Sequence, residues 1–423
     1  MMIKTKGSDD RQLATGHSLC RCPDTRFTIM NGLNQNRPLR TGPRLFFIMV
    51  FMWTCLATPI LAAEWRVVPK LGVSGGYDDN IFYTKEDKVD SSVVSIEPGV
   101  ELDYQSLLSS LLLKADFDIL SYLDESDLNR VNQYYRLEGN HRLGQRWDAR
   151  TELRFYNDTT LNTYLEETGR VVERIDREYG FAKGGISYDI STISSIDTDY
   201  IYETARYSDD AFSDYDKHRI SLRYRHRLKT QQDVLLIGPS YYKRKNDLND
   251  TDYVSLDLGW IRDWSDITNT YASIGARYTN VKDKDGNDEN NWGALARFNL
   301  TRKGIVSTTT FEYYHDLATL VDGTDVNVDN FHLRYDYLLT ERFGLGINGR
   351  LVLSYDLFSS QGGVEDNRYY MVEPFLFYRL TEDFKVYLRY TYQNSSKDLV
   401  ESEDTLERNR AWIEFRYELP MLL

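Results

Sequence analysis

Asp283-Lys-Asp-Gly-Asn-Asp-Glu289 has the oxygen density of a calcium loop, but its glycine stands fourth where an EF-hand needs it sixth, and its flanks do not suit helices. It reads as a hairpin loop. Two further acidic stretches, 208–216 and 246–252, offer carboxylates suited only to loose cation binding. Hydrolysis needs a nucleophile, a base and an orienting group held together. The one imaginable set is His315, close to Glu312 and Asp316, with Ser307 or Thr310, and no motif supports it. Of the other histidines beyond residue 63, His141 and His226 share the apolar parity beside short turns, His218 begins a segment, and His332 lies beside Arg334 and Asp336. The chain is therefore read as a non-enzyme with no catalytic residue, cofactor or metal centre.

All three cysteines, Cys20, Cys22 and Cys55, precede Glu64, so the rest of the chain has no disulfide or thiol chemistry. Residues 1–63 carry eight basic and three acidic side chains, and without them the formal charge moves from -14 to -19. That balance argues against nucleic acid as a partner. The segment from Pro43 to Ala63 joins a basic flank, an apolar run and a small-residue end, the pattern of a cleavable secretory signal. Residues 1–63 are read as a leader with its signal core at 44–63, and 64–423 as a single domain. The polar stretch ahead of the core is long for a signal, which points to a later start at Met30 or Met49. A retained membrane helix is disfavoured by Pro59 and the shortness of the run.

The signal from Trp65 onward is alternation. In Arg219-Ile-Ser-Leu-Arg-Tyr-Arg-His-Arg-Leu228, Ile220, Leu222, Tyr224, His226 and Leu228 share one parity and Arg219, Ser221, Arg223, Arg225 and Arg227 the other. Near the end, Ile413, Phe415, Tyr417 and Leu419 alternate with Glu414, Arg416 and Glu418. A helix would mix these sets, whereas a strand gives one face to lipid and one to water. A mean hydropathy of -0.53 is consistent with this, because only every second strand residue meets lipid.

Short turns such as Leu143-Gly-Gln-Arg146, Arg302-Lys-Gly304 and Thr381-Glu-Asp383 alternate with longer polar stretches such as 78–90, 157–176 and 395–407. The expected fold is all-β: a transmembrane, antiparallel, up-and-down β-barrel of about eighteen strands, from 66–77 to 408–419, with sixteen as the alternative. This places the protein in a bacterial outer membrane with both termini periplasmic. Trp147, Tyr188, Trp260, Phe298, Phe343 and Phe384 would form the girdle at the short turns, and Tyr122, Tyr156, Tyr207, Tyr278, Tyr355 and Tyr392 the girdle at the long loops.

Basic side chains turned to lipid near the midplane cost about 2–4 kcal/mol each, so the charged parity belongs inside. In the first five strands it comprises Arg66, Lys70, Glu97, Glu101, Asp103, Lys114, Asp116, Asp118, Arg136, Glu138, Arg150, Glu152 and Arg154. The middle strands add Asp197, Asp199, Arg219, Arg223, Arg225, Arg227, Asp257, Arg277 and Arg297. The last strands add Arg334, Asp336, Arg350, Glu373, Arg379, Arg389, Glu414 and Arg416. These are the pore-lining candidates. A barrel of this size encloses water rather than a packed core. Any narrowing must come from side chains or a folded-in loop, and 157–176 is the longest candidate.

Gly75-Gly-Tyr-Asp-Asp-Asn-Ile-Phe82, followed by Val94-Ser-Ile-Glu-Pro-Gly-Val100, resembles the opening of the β-barrel porin 2 family. The resemblance implies an outer-membrane channel that serves exopolysaccharide export, with outer-membrane lipid, the barrel-assembly machinery, periplasmic polysaccharide-export proteins and the polysaccharide itself as partners. Against it stand a general small-solute porin, which predicts a tight waist with segregated acidic and basic walls, and a structural or receptor barrel, which predicts an occluded lumen and ordered external loops.

Overall fold

The computed structural model describes residues 63–229, 232–357, 367–398 and 403–422. The predicted signal segment up to residue 62 lies outside them. The strands are β1 (Glu64–Asp78), β2 (Ser91–Gln105), β3 (Ser109–Tyr122), β4 (Arg130–Arg142), β5 (Trp147–Thr159), β6 (Asp176–Asp189), β7 (Ser194–Tyr207), β8 (Tyr215–Arg227) and β9 (Asp233–Asn246). They continue as β10 (Asn249–Ser265), β11 (Thr268–Asp283), β12 (Asp288–Lys303), β13 (Ser307–Thr319), β14 (Asp325–Leu338), β15 (Phe343–Asp356), β16 (Asn367–Arg379), β17 (Phe384–Asp398) and β18 (Glu403–Glu418).

Each strand pairs antiparallel with its sequence neighbours, and β18 returns to β1 with Lys70 opposite Glu418 and Asp78 opposite Arg410. The ring is closed at eighteen long strands, which excludes the sixteen-stranded alternative. Closure gives every long strand a partner on each side, a condition that hydrocarbon imposes because it offers backbone groups no other partner, although β12 and β13 pair only from Ala296–Lys303 against Thr308–His315 and part at their long-loop ends. After Leu419-Pro420, where the proline lacks an N–H to donate, a two-residue β19 (Met421–Leu422) pairs with the start of β1.

The large exposed apolar side chains occupy the outer parity, among them Leu71, Val73 and Tyr77 on β1 and Leu256 and Leu258 on β10. Ile274 is 69% exposed and Trp292 75%, exposures that suit lipid contact and not water. No described helix is long and apolar enough to cross a membrane, and the strands do the spanning.

Strands run further than expected at the long-loop end. β10 begins at Asn249, so the acidic stretch 246–252 is a tight connection through Asp247 and Leu248, not a loop. β11 and β12 reach Asp283 and Asp288 and turn at Gly286, whose φ is 86°. Beyond the lipid both faces are polar, so alternation fades while the hydrogen-bond ladder continues.

One girdle needs correction. Tyr278, Tyr355 and Tyr392 lie on the outer parity, but Tyr122, Tyr156 and Tyr207 have inner parity and point into the lumen. Nearness to a loop does not set the face; parity does. The short-turn girdle forms as expected, with Trp147 against Tyr188 at 4.4 Å and Phe384 against Phe415 at 6.4 Å between ring centroids.

Candidate functional site: a charged lumen crossed by a folded-in segment

Directly after β5 the chain forms a helix, α1 (Thr160–Thr168). Leu161 and Leu165, one turn apart, form one stripe and Tyr164 stands off it. Gly169 ends the helix at φ 71°, donating its N–H to the Leu165 carbonyl. A side chain there would also press on the wall, since a Cβ would come within 3.1 Å of Tyr369 and 3.3 Å of Val352.

The 160–175 segment crosses the bore. Leu161 and Leu165 pack with Tyr83, Val326, Val328, Val352, Tyr369 and Met371, while Tyr164 packs with Ala205, Tyr207 and Val321. Polar contacts pin it around the ring. Arg170 donates to Asp356 at 2.6 Å on β15, and the Glu166 carbonyl accepts from Asn330 on β14 and Arg350 on β15. Ser395 on β17 donates to the Gly169 carbonyl, Arg408 on β18 to Asn162, and Arg174 reaches Tyr122 on β3 and the Ile81 carbonyl. The longest loop is thus the narrowing element, as its length suggested.

A second set of inward contacts crosses the lumen elsewhere. The turn between β13 and β14 bends toward the β9–β10 hairpin, where the Gly323 carbonyl accepts from Arg244, Asn246 and Asn249. Arg244 pairs with Asp325, the two side chains being 1% and 2% exposed. Arg277 on β11 bonds Asn327 on β14, and the Tyr253 hydroxyl on β10 donates to Asp316 on β13 at 3.1 Å. A cavity of about 400 Å³ lies beneath α1, walled by Glu97, Asp118, Arg410, Trp412 and Glu414 among others.

Every predicted lining residue stands on the parity opposite the exposed apolar stripe. Many pair along the wall: Arg66 with Asp103 at 3.2 Å, Lys70 and Lys114 both with Glu101 at 2.9 Å, and Arg136 with Glu138 and Glu152. Arg154 also holds Glu152, Arg150 holds Asp199 at 3.1 Å, and Arg225 holds Asp197 at 2.5 Å. Arg297 pairs with Asp316 and Arg334 with Asp336, while Arg389 and Arg416 share Glu414 and Arg389 also reaches Glu373 at 3.6 Å. Arg219 lies over the Tyr242 ring, and Asp118 accepts from Ser95 and Asn132. Among the described residues Asp116, Arg223, Asp257 and Arg379 make no ion pair with a side chain. Acids and bases alternate, so the walls are not segregated by sign, contrary to the expectation for a general small-solute porin, because neighbouring strands place opposite charges in cross-strand pairs.

Sequence reasoning passed over Asp78, Lys183, Glu203, Lys217, Arg244, Glu312, Asp316, Arg408 and Arg410, all on the inner face. Parity would have found Arg244, Arg408 and Arg410; Lys183 stands among Phe181, Gly185 and Ser187, where parity carries little contrast.

The hydrolase-like set does not assemble. His315 lies on the outer face and bonds Asp329 at 2.9 Å, Thr310 faces the lumen, and Ser307 is eight residues away, roughly 26 Å along a strand. His141 and His226 accept or donate to Ser109 and Ser194 across neighbouring strands. No group of three or more His, Cys, Asp or Glu able to hold a metal occurs among the described residues.

The tract that carried the family resemblance closes the barrel. Asp78 takes a bidentate bond from Arg408, Asp79 accepts from the Asn409 backbone and side chain, and Asn80 donates to the carbonyls of Thr84 and Glu407. Ile81 is fully buried with Val93 and Tyr122.

No family model matches the chain, and neither does any curated protein. Solved structures that resemble it include the outer membrane protein opdK from Pseudomonas aeruginosa, at 11% identity over 84% of this chain and 99% of that one, with a TM-score of 0.42. OccAB3 of Acinetobacter baumannii matches at 12% identity over 86% and 100%, with a TM-score of 0.43. The FrpB iron transporter from Neisseria meningitidis matches at 9% identity over 85% and 82%, with a TM-score of 0.45.

Proposed function

We propose that this protein is an outer-membrane channel for small polar solutes, with the 160–175 segment setting its narrowest point. The observation that carries this is that segment's attachment to β3, β7, β14, β15, β17 and β18 above a lumen lined by charge. An apolar outer wall, a polar interior and an inserted loop together form a selective aqueous passage.

The test is single-channel conductance of the purified protein in planar bilayers, with and without residues 161–174 replaced by a glycine-serine linker. Small conductance in the wild type and a larger one in the variant are expected. No conductance in either protein overturns the channel.

The export of exopolysaccharide, implied by the Gly75–Phe82 tract, is the second reading. In its favour, Tyr134, Tyr156 and Tyr179 stand in register across β4, β5 and β6 with ring centroids 5.5 and 5.7 Å apart, an aromatic surface on which sugar rings stack. Periplasmic export proteins are partners only under this reading. Loss of secreted polysaccharide on deleting the gene supports it; unchanged secretion removes it and leaves the small-solute channel.

A further inference from the structure

A hollow of about 280 Å³ lies in the lumenal wall between β6 and β13. Much of its polar lining is already partnered. Arg297 and the Tyr253 hydroxyl both engage Asp316, Ser240 bonds Ser255 at 2.7 Å, Lys183 stands 3.6 Å from Asp199, and Arg219 covers Tyr242. Two opposite charges are left over. Arg223 lies opposite Asp197, but that carboxylate is taken by Arg225 and Ser187. Asp257 lies opposite Gly238 on one side and Gly275 on the other, so neither directly facing residue offers it a side chain.

The floor is tight: a Cβ on Gly275 would come within 2.4 Å of the Leu256 carbonyl, and one on Gly238 within 3.0 Å of the Leu222 carbonyl. Arg223 on β8 and Asp257 on β10 therefore flank β9 at Gly238, both side chains leaning over that glycine, and a Cβ there would stand 3.5 Å from the Asp257 Oδ1 and 3.7 Å from the Arg223 Cβ. Their backbones are roughly 9–10 Å apart, two strand spacings. A single small molecule with both charges satisfies both groups. A neutral polyol leaves two charges unmet, and a simple anion or cation leaves one.

Building on the channel reading, we infer that this hollow binds a small zwitterion of the free amino-acid class. Its carboxylate sits on the Arg223 guanidinium, which suits bidentate contact, and its ammonium on the Asp257 carboxylate, within the hollow those two side chains line.

Entry of labelled glycine and of neutral erythritol into proteoliposomes containing the full chain tests this, with glycolate and ethanolamine as single-charge competitors. Glycine entry is expected to saturate, to be inhibited weakly by either competitor alone, and to fall relative to erythritol on the order of tenfold in Arg223→Gln and Asp257→Asn. Glycine and erythritol entering in a constant ratio, without saturation, overturns the inference and leaves the channel standing. Strong inhibition by glycolate alone also overturns it, since that marks a plain anion site, and this arm needs no variant to fold. Entry of neither solute removes the channel reading together with the inference.

Discussion

At the long-loop end, Arg408 and Asp78 are each 2% exposed; at the short-turn end, Arg142 and Asp148 are 60% and 39% exposed. The chemistry of the two pairs is the same and their surroundings are opposite. The first lies where the 160–175 segment and the β1–β18 seam shut out water, so either member alone would be an uncompensated charge. The second lies in the hydrated mouth, where solvent already stabilises both ions. One end of the barrel uses arginine as a weld and the other as a wetted lining.

Arg408→Ala is expected to break the contrast most, costing about 3–5 kcal/mol because it strands Asp78 in a buried seam. Urea unfolding of the protein folded in lipid measures this, and a cost near zero would mean that the seam is wet. Leu165→Ala comes next: Leu165 is fully buried between α1 and the wall, and loss of its side chain removes about 2–5 kcal/mol of docking. Because the cost falls on one segment, it is read as faster hydrogen exchange over 160–175 and noisier single-channel current. Ile274→Arg tests the outer face near the middle of β11, and a penalty of about 2–4 kcal/mol in the same unfolding experiment is expected. No penalty there would move Ile274 out of the lipid. The smallest effect belongs to Arg142→Ala, about 0–1 kcal/mol, and a larger loss would place that pair in a dry environment.

The strand count, the order of pairing and the inner placement of residues such as Arg219 and Glu414 were legible because they rest on a period of two, repeated along each strand. The helix at 160–168 was not legible as a helix, although the length of its loop marked it as the element most able to turn inward. Its nine residues fall between strands, and its anchors, from Tyr83 to Arg408, are spread over the chain. The girdle error at Tyr122, Tyr156 and Tyr207 came from weighting nearness to a loop above parity. The resemblance tract was visible, but its work at the seam was not, since Asp78 meets Arg408 across 330 residues of sequence.

The alternating residues alone determined a closed barrel with an apolar outside and a charged inside, because burying one parity in lipid leaves the other no choice of face. Only the tertiary structure decided how open the interior is. Which arginine finds which carboxylate, and whether a loop lies in the bore, depends on contacts such as Arg244 with Asp325, between strands that do not neighbour one another, and Arg170 with Asp356, between the folded-in segment and a distant strand. Periodicity carries no record of such contacts, because it describes a strand's own faces and not the distance to the wall opposite.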